Sequence, residues 1–201
     1  MIDTVIVPGV AGSEAHHWQS WLETQLMSCC RVQQNDWNHP VLHEWIEQFV
    51  HTVAPIEGAV QIVAHSFGCL TTMAALHLHP ELNRNIKNVV LVAPANPIRF
   101  GDNGFARDSQ NNYAEFFQQI RPLVPTSMLI SENDPWLAFT DAKQLAHAWQ
   151  IEPINLGAVG HINVASGFGP FPQIFDYLIS ENTMSHISIT DDGKYFFKFA
   201  I

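Results

Sequence analysis

Short β-branched apolar runs alternate along the chain with longer stretches whose apolar residues return every three or four positions. The runs fall at about 4–7, 31–34, 59–64, 88–93, 127–131 and 151–156, and helices are predicted between them over about 16–27, 41–53, 67–79, 138–149 and 172–179. The second helix places Leu42, Trp45, Ile46, Phe49 and Val50 on one side, the spacing of a helix with a single buried face. Pro40 suits the first turn of that helix, and Pro80 stops the next. Strands that alternate with helices build a mostly parallel sheet, joined by right-handed crossovers and covered on both faces. Residues 60–64 and 89–93 are apolar almost throughout, as central strands buried on both sides should be.

Two segments depart from this rhythm. Residues 96–121 exceed a minimal connection and carry Phe100, Phe105, Tyr113, Phe116 and Phe117. Residues 185–201 alternate apolar and polar positions across Asp192-Gly193, a strong hairpin signal. The expected organisation is one α/β domain over 1–182 with a C-terminal β-hairpin extension over 183–201.

Composition narrows the class. A chain of 201 residues, 47% apolar and 14% charged, suits one well-buried domain. A net charge of −10 with only nine Lys and Arg argues against a nucleic-acid or anionic-membrane surface, because such surfaces gain affinity from basic clusters. No basic leader precedes the first run, and no apolar stretch approaches the ~18 residues of a membrane span. Three cysteines, two of them adjacent, make no disulfide framework, so a cytoplasmic setting is expected.

The chemistry gathers at strand ends. Ala64-His65-Ser66-Phe67-Gly68 follows the third run and opens the third helix, the context of a nucleophile elbow. Small residues two positions either side of Ser66 let such a turn close; Gly68 fits, and Ala64 adds only a methyl to the usual glycine. The helix start places a backbone N–H of Phe67 where an oxyanion would form. Its partner donor is expected from the main chain of Val10, in the small-residue turn Pro8-Gly9-Val10-Ala11-Gly12-Ser13. That turn lacks the spacing and Lys-Ser/Thr ending of a phosphate loop.

Asp134, before Pro135, follows the fifth run; His161, in Gly157-Ala158-Val159-Gly160-His161, follows the last. The chain order serine, acid, histidine is that of α/β-hydrolases. His161 would act as general base and acid on Ser66, with Asp134 orienting its ring. Glu132, Asp102 and Asp108 stay open as rival carboxylates. Trp37, Trp136, Phe100, Phe105 and Ile162 are candidates for the substrate pocket. His77 and His79 project about 200° apart on a helix, and His39 with His43 lacks a third ligand, so no metal is expected. Cys69 reads as a small core residue.

The residues Pro8-Gly9 with Ser13, His17-Trp18-Gln19, Asp36-Trp37, 63–70, 132–135, 160–163 and Ser166-Gly167-Phe168-Gly169 together resemble the small single-domain serine hydrolases typified by retinoblastoma-binding protein nine and bacterial YdeN. The resemblance covers about residues 3–180. It implies a three-layer α/β-hydrolase fold of strand order 2-1-3-4-5-6 with almost no cap, a Ser66–Asp134–His161 triad, and esterase-like or amidase-like activity without a cofactor. The expected partner is a small acyl substrate, and the expected state a monomer or a homodimer joined through the hairpin. An alternative from another class is a weakly catalytic interaction module that uses the hairpin's strand edge.

Overall fold

The computed structural model describes residues 2–106 and 111–179, together with the backbone of 187–189 and 195–197. In chain order its elements are β1 (Ile2–Val7), α1 (Trp18–Gln25), β2 (Cys29–Arg31), α2 (Leu42–Val53), β3 (Ala59–His65), α3 (Phe67–Leu78) and β4 (Ile86–Val92). A short ribbon of β5 (Phe100–Gly101) and β6 (Gly104–Phe105) follows, then α4 (Ala114–Gln119), β7 (Thr126–Ile130), α5 (Phe139–Trp149) and β8 (Pro153–Asn155). The main sheet has six parallel strands in the order β2-β1-β3-β4-β7-β8, which is the expected winding once the ribbon is set aside.

Strand periodicity divides the apolar runs between two layers. Val5, Val7, Ile62, Val89 and Leu91 face a core closed by Trp45, Phe49, Phe67, Leu70, Phe117 and Trp149 of the helices α2 to α5. Ile6, Val63, Val90, Val92 and Leu129 face the other way, onto Trp18, Leu22, Phe171 and Ile174. Continuous apolarity in the sequence is therefore two interleaved surfaces in space.

Some elements differ from expectation. The second strand starts at Cys29, because Thr4 pairs with Cys29 and Ile6 with Arg31. It is an edge strand held by polar contacts: the Arg31 guanidinium donates to Glu23, to the carbonyls of Gly12 and Ser13, and to Ser20 Oγ. Residues Pro172–Tyr177 form a 3-10 helix in place of an α-helix, a short piece that tucks Ile174 into the core. The aromatic segment holds an unexpected helix, α4; Asn112 Oδ1 accepts its first N–H at 3.0 Å and Phe117 is its buried anchor. Six residues are too few for a periodic signal. At the C-terminus β9 (Ile187–Ile189) and β10 (Tyr195–Phe197) pair antiparallel. The expected Asp192-Gly193 turn and the boundary at 183 lie outside the described residues.

The end of β1 runs against the first turn of α3. A Cβ on Gly68 would collide with the carbonyl oxygens of Val7 and Pro8, and one on Gly9 would sit 2.7 Å from Ser66 Cβ. Gly68→Ala must push backbone against backbone, so it should cost about 1–3 kcal/mol, read as a lower urea midpoint with unchanged m-value. A midpoint equal to wild type would show that the two segments separate freely.

Candidate active site

Ser66 joins β3 to α3 with φ 54° and ψ −123°, a conformation that costs a non-glycine residue about 1–3 kcal/mol. Three backbone hydrogen bonds hold it there. Its N–H donates to Val92 O at 3.1 Å, and its carbonyl accepts from Cys69 N at 3.0 Å and Ala95 N at 3.2 Å. The turn lifts Oγ past the carboxyl end of the sheet, where it lies 2.9 Å from His161 Nε2. His161 Nδ1 in turn lies 2.8 Å from Asp134 Oδ2 and 3.0 Å from Oδ1. With Nδ1–H donating to the carboxylate, Nε2 is free to accept the Ser66 proton.

The three residues come from separate loops, each tied in place. Asp134 is buried, and its Oδ1 also accepts the Trp136 N–H at 2.8 Å. The His161 N–H donates to Ser166 Oγ, which itself donates to Asn163 Oδ1. Asn133 Oδ1 accepts the Gly160 N–H at 2.6 Å, linking the histidine loop to the aspartate loop. Of the rival carboxylates, Glu132 is exposed and accepts from Asn155 Nδ2 at 2.9 Å, while exposed Asp102 lies against Tyr113. Asp108 lies outside the described residues. The carboxylate on His161 is that of Asp134.

Among the described residues, neither the Val10 N–H nor the Phe67 N–H has an acceptor. Both belong to the junction where Gly9 and Gly68 permit close approach. The Val10 turn is clamped from two sides, by the Arg31 contacts to Gly12 and Ser13 and by Gln19. Gln19 is fully buried; its Nε2 donates to Val7 O and Val63 O and its Oε1 accepts from Ser13 Oγ. The sequence pattern singled out Ser13 and Gln19 without a role, and their role is to brace this turn.

A cavity of about 310 Å³ opens over Ser66 and His161, walled by Val10, Phe100, Phe105, Trp136, Arg99 and His17. Trp37 and Ile162, expected in the pocket, are not among its walls, and both assignments are corrected. Trp37 packs its ring on Gly12 and edge-on to Trp45 at 5.6 Å, so it supports the Val10 turn from behind. Ile162 has φ 50°, which turns its side chain back into the layer of Trp18 and Phe171, while its carbonyl accepts the Trp18 Nε1–H at 2.8 Å. Among the described residues no three His, Cys, Asp or Glu side chains converge as a metal site would need.

Two further histidines were not anticipated. His17, 3% exposed, and His65, 5% exposed, pack in series with His161 as tilted rings, with centroids 4.8 and 4.9 Å apart. His65 Nε2 lies 2.9 Å from the His161 carbonyl and donates to it, so this ring braces the loop from below. His17 Nδ1 accepts the Gln19 N–H at 3.1 Å, which leaves Nε2–H as the donor on a ring that walls the cavity. Burial, aided by Arg31 and His161, lowers the His17 imidazole to about 4. Burial also takes His65 well below the usual histidine range, with His161 and His17 adding to the effect. Both rings are neutral at pH 7.

The sheet order and a serine–histidine–carboxylate chain at its carboxyl edge define an α/β-hydrolase. The chain belongs to the serine hydrolase family, which it matches over residues 4–180, and its structural neighbours include hydrolases of the YdeN type. A YdeN-like hydrolase from Pectobacterium atrosepticum is 31% identical, covering 88% of this chain and 90% of that one, with a TM-score of 0.72. The ydeN gene product of B. subtilis is 17% identical over 88% and 96%, with a TM-score of 0.65. A serine hydrolase involved in carbazole degradation, the CarC enzyme, is 14% identical over 87% of each chain, with a TM-score of 0.61. These last two are likenesses of fold. No curated protein matches the chain. Among the described residues no helix is long and apolar enough to cross a membrane.

The buried imidazoles set a pH dependence of stability. Unfolding lets His17 return from about 4 to its ordinary value of 6.5, so the unfolded chain takes up a proton the folded chain refuses. Their contribution is fully present above pH 6.5 and is lost as pH falls towards 4, at about 1.4 kcal/mol per pH unit for each proton. His65 acts in the same direction. Urea unfolding between pH 7.5 and 5 should show a shallower pH slope for His17→Gln than for wild type. Parallel slopes would mean that His17 titrates in the fold as it does in the unfolded chain, and a steeper slope for the variant that the fold keeps the ring protonated.

Proposed function

We propose that this chain hydrolyses small carboxylic esters, thioesters or amides through an acyl-enzyme on Ser66. The observation that carries the reading is the unbroken hydrogen-bond chain from Asp134 through His161 to Ser66, which opens on a cavity, with two nearby backbone N–H groups that have no acceptor among the described residues. Ser66 Oγ attacks the substrate carbonyl carbon as its proton passes to His161 Nε2. The carbonyl oxygen takes the negative charge, next to the N–H groups of Val10 and Phe67. Asp134 faces the imidazolium through Nδ1–H and stabilises it without taking the proton. Collapse of the tetrahedral adduct breaks the bond to the leaving group, which receives the proton from His161. Water then gives a proton to His161 and attacks the acyl carbon; the same two N–H groups hold the second oxyanion, and Ser66 is regenerated as the acid leaves.

The strained Ser66 turn supports this reading, since it exposes Oγ with no reorganisation at the moment of attack. Phe100, Phe105 and Trp136 supply apolar walls of a pocket for a small substrate. No metal or organic cofactor enters the scheme.

Ser66→Ala should lower kcat/KM for p-nitrophenyl butyrate at least about a thousandfold and abolish labelling by a fluorophosphonate probe. Wild-type protein that is inert to such esters and unlabelled would overturn the proposal. Asp134→Asn should lose about ten-thousandfold in kcat, because the wrong tautomer of His161 is then held. Glu132→Gln should stay within about twofold of wild type, as expected of a surface substitution. A larger loss in Glu132→Gln than in Asp134→Asn would reassign the acid.

A further inference from the structure

Arg99 ends the 3-10 turn Pro97–Arg99 and stands in the cavity wall. The chain has nine Lys and Arg against nineteen Asp and Glu, and among the described residues no other Lys or Arg lines this cavity. In so acidic a protein a half-buried arginine is expected to end on a carboxylate. Arg31 does so, 2.6 Å from Glu23. Among the described residues Arg99 has no acidic partner; its guanidinium carbon lies 4.4 Å from the centre of the Trp136 ring. A guanidinium held over a ring by its central carbon makes no hydrogen bond there, so its N–H donors stay available, in the fork that matches a carboxylate.

The platform is fixed to the reacting groups. The Trp136 N–H donates to Asp134 Oδ1, and its ring centre is 6.3 Å from that of His161. Arg99 is held by its own backbone, its N–H donating to Asn96 O at 3.1 Å and its carbonyl accepting from Ala106 N at 2.8 Å. At about 310 Å³ the cavity is small enough for one ligand to span from Ser66 to Arg99. The carboxylate in its lining is Glu14, which is exposed on the loop after β1, so the two charges sit on different loops and give the pocket a polarity.

We propose that Arg99, carried on Trp136, is a specificity-determining residue that binds a carboxylate of the substrate. The favoured substrates are then small esters or amides with a carboxylate a few bonds from the scissile carbonyl, their apolar part lying along Phe100 and Phe105. The proposal rests on Ser66 being the nucleophile of this cavity.

Two matched pairs of esters test it and locate the carboxylate. On the acyl side, the mono-p-nitrophenyl ester of glutaric acid is compared with p-nitrophenyl valerate; on the leaving-group side, m-carboxyphenyl butyrate is compared with phenyl butyrate. In one pair the wild-type ratio of kcat/KM, anionic over neutral, should fall at least about tenfold in Arg99→Gln, mostly through KM, and further in Arg99→Glu. Arg99→Lys should keep only part of the ratio, because the charge is retained while the fork and the contact with the Trp136 ring are lost. Binding of glutarate and of m-hydroxybenzoate to the Ser66→Ala protein, by calorimetry, gives a readout without turnover; one should weaken about tenfold when Arg99→Gln is added. Ratios and affinities that do not respond to Arg99→Gln would overturn the proposal. Fluorophosphonate labelling and turnover of the neutral esters report separately on Ser66.

Discussion

The site depends on one close approach, that of the backbone at the end of β1 to the first turn of α3. Gly9 and Gly68 lack the side-chain carbons that would hold the two apart. Contact at this junction does three things together. It confines the strained Ser66 between β3 and α3, it brings the Phe67 N–H close to the Gly9–Val10 turn, and it lets the end of β1 pack on the helix. Strain of about 1–3 kcal/mol at one residue is easily offset by burial of side chains such as Phe67 and Leu70 just behind it, each contributing a similar amount.

Around that junction the polar residues act mainly as braces. Arg31 and Gln19 hold the Val10 turn, Asn133 couples the loops of Asp134 and His161, and Asn163 acts on His161 through Ser166. His65 reaches the His161 carbonyl from the end of β3, next to Ser66. Such bonds matter less for their individual strength than for placement, since an error of about 1 Å between reacting groups is enough to lose much of the rate. Burying neutral imidazoles for this purpose ties the frame of the site to pH.

Charge is distributed unevenly over the same frame. The chain is acidic overall, yet the cavity wall carries Arg99 laid on Trp136, with aromatic surface on either side. Trp136 is 47% exposed and belongs to the turn that anchors Asp134, so this part of the apolar rim and the triad carboxylate share one loop. A pocket with a cation at one wall and aromatic rings along it selects by both shape and charge. Little else covers the site among the described residues: the ribbon of β5 and β6 brings in Phe100 and Phe105, and α4 lies beyond it on α5.

Local order determined what could be read from the sequence. Strand periodicity, the breaks at Pro40 and Pro80, and a serine flanked by strand and helix are properties of neighbouring residues, and they led to the α/β winding and to Ser66. The shift of β2 to Cys29, the 3-10 helix at Pro172–Tyr177 and the six-residue α4 escaped because short elements are decided by what they pair with or pack on. Only the tertiary structure decided which carboxylate meets His161, since Glu132 and Asp134 differ locally by little and are separated by the direction their loop takes. It also turned Trp37 and Ile162 away from the pocket and brought His17, His65 and Arg99 to it. The reason is distance along the chain: His65 meets a carbonyl ninety-six residues away, and no local pattern records such a contact.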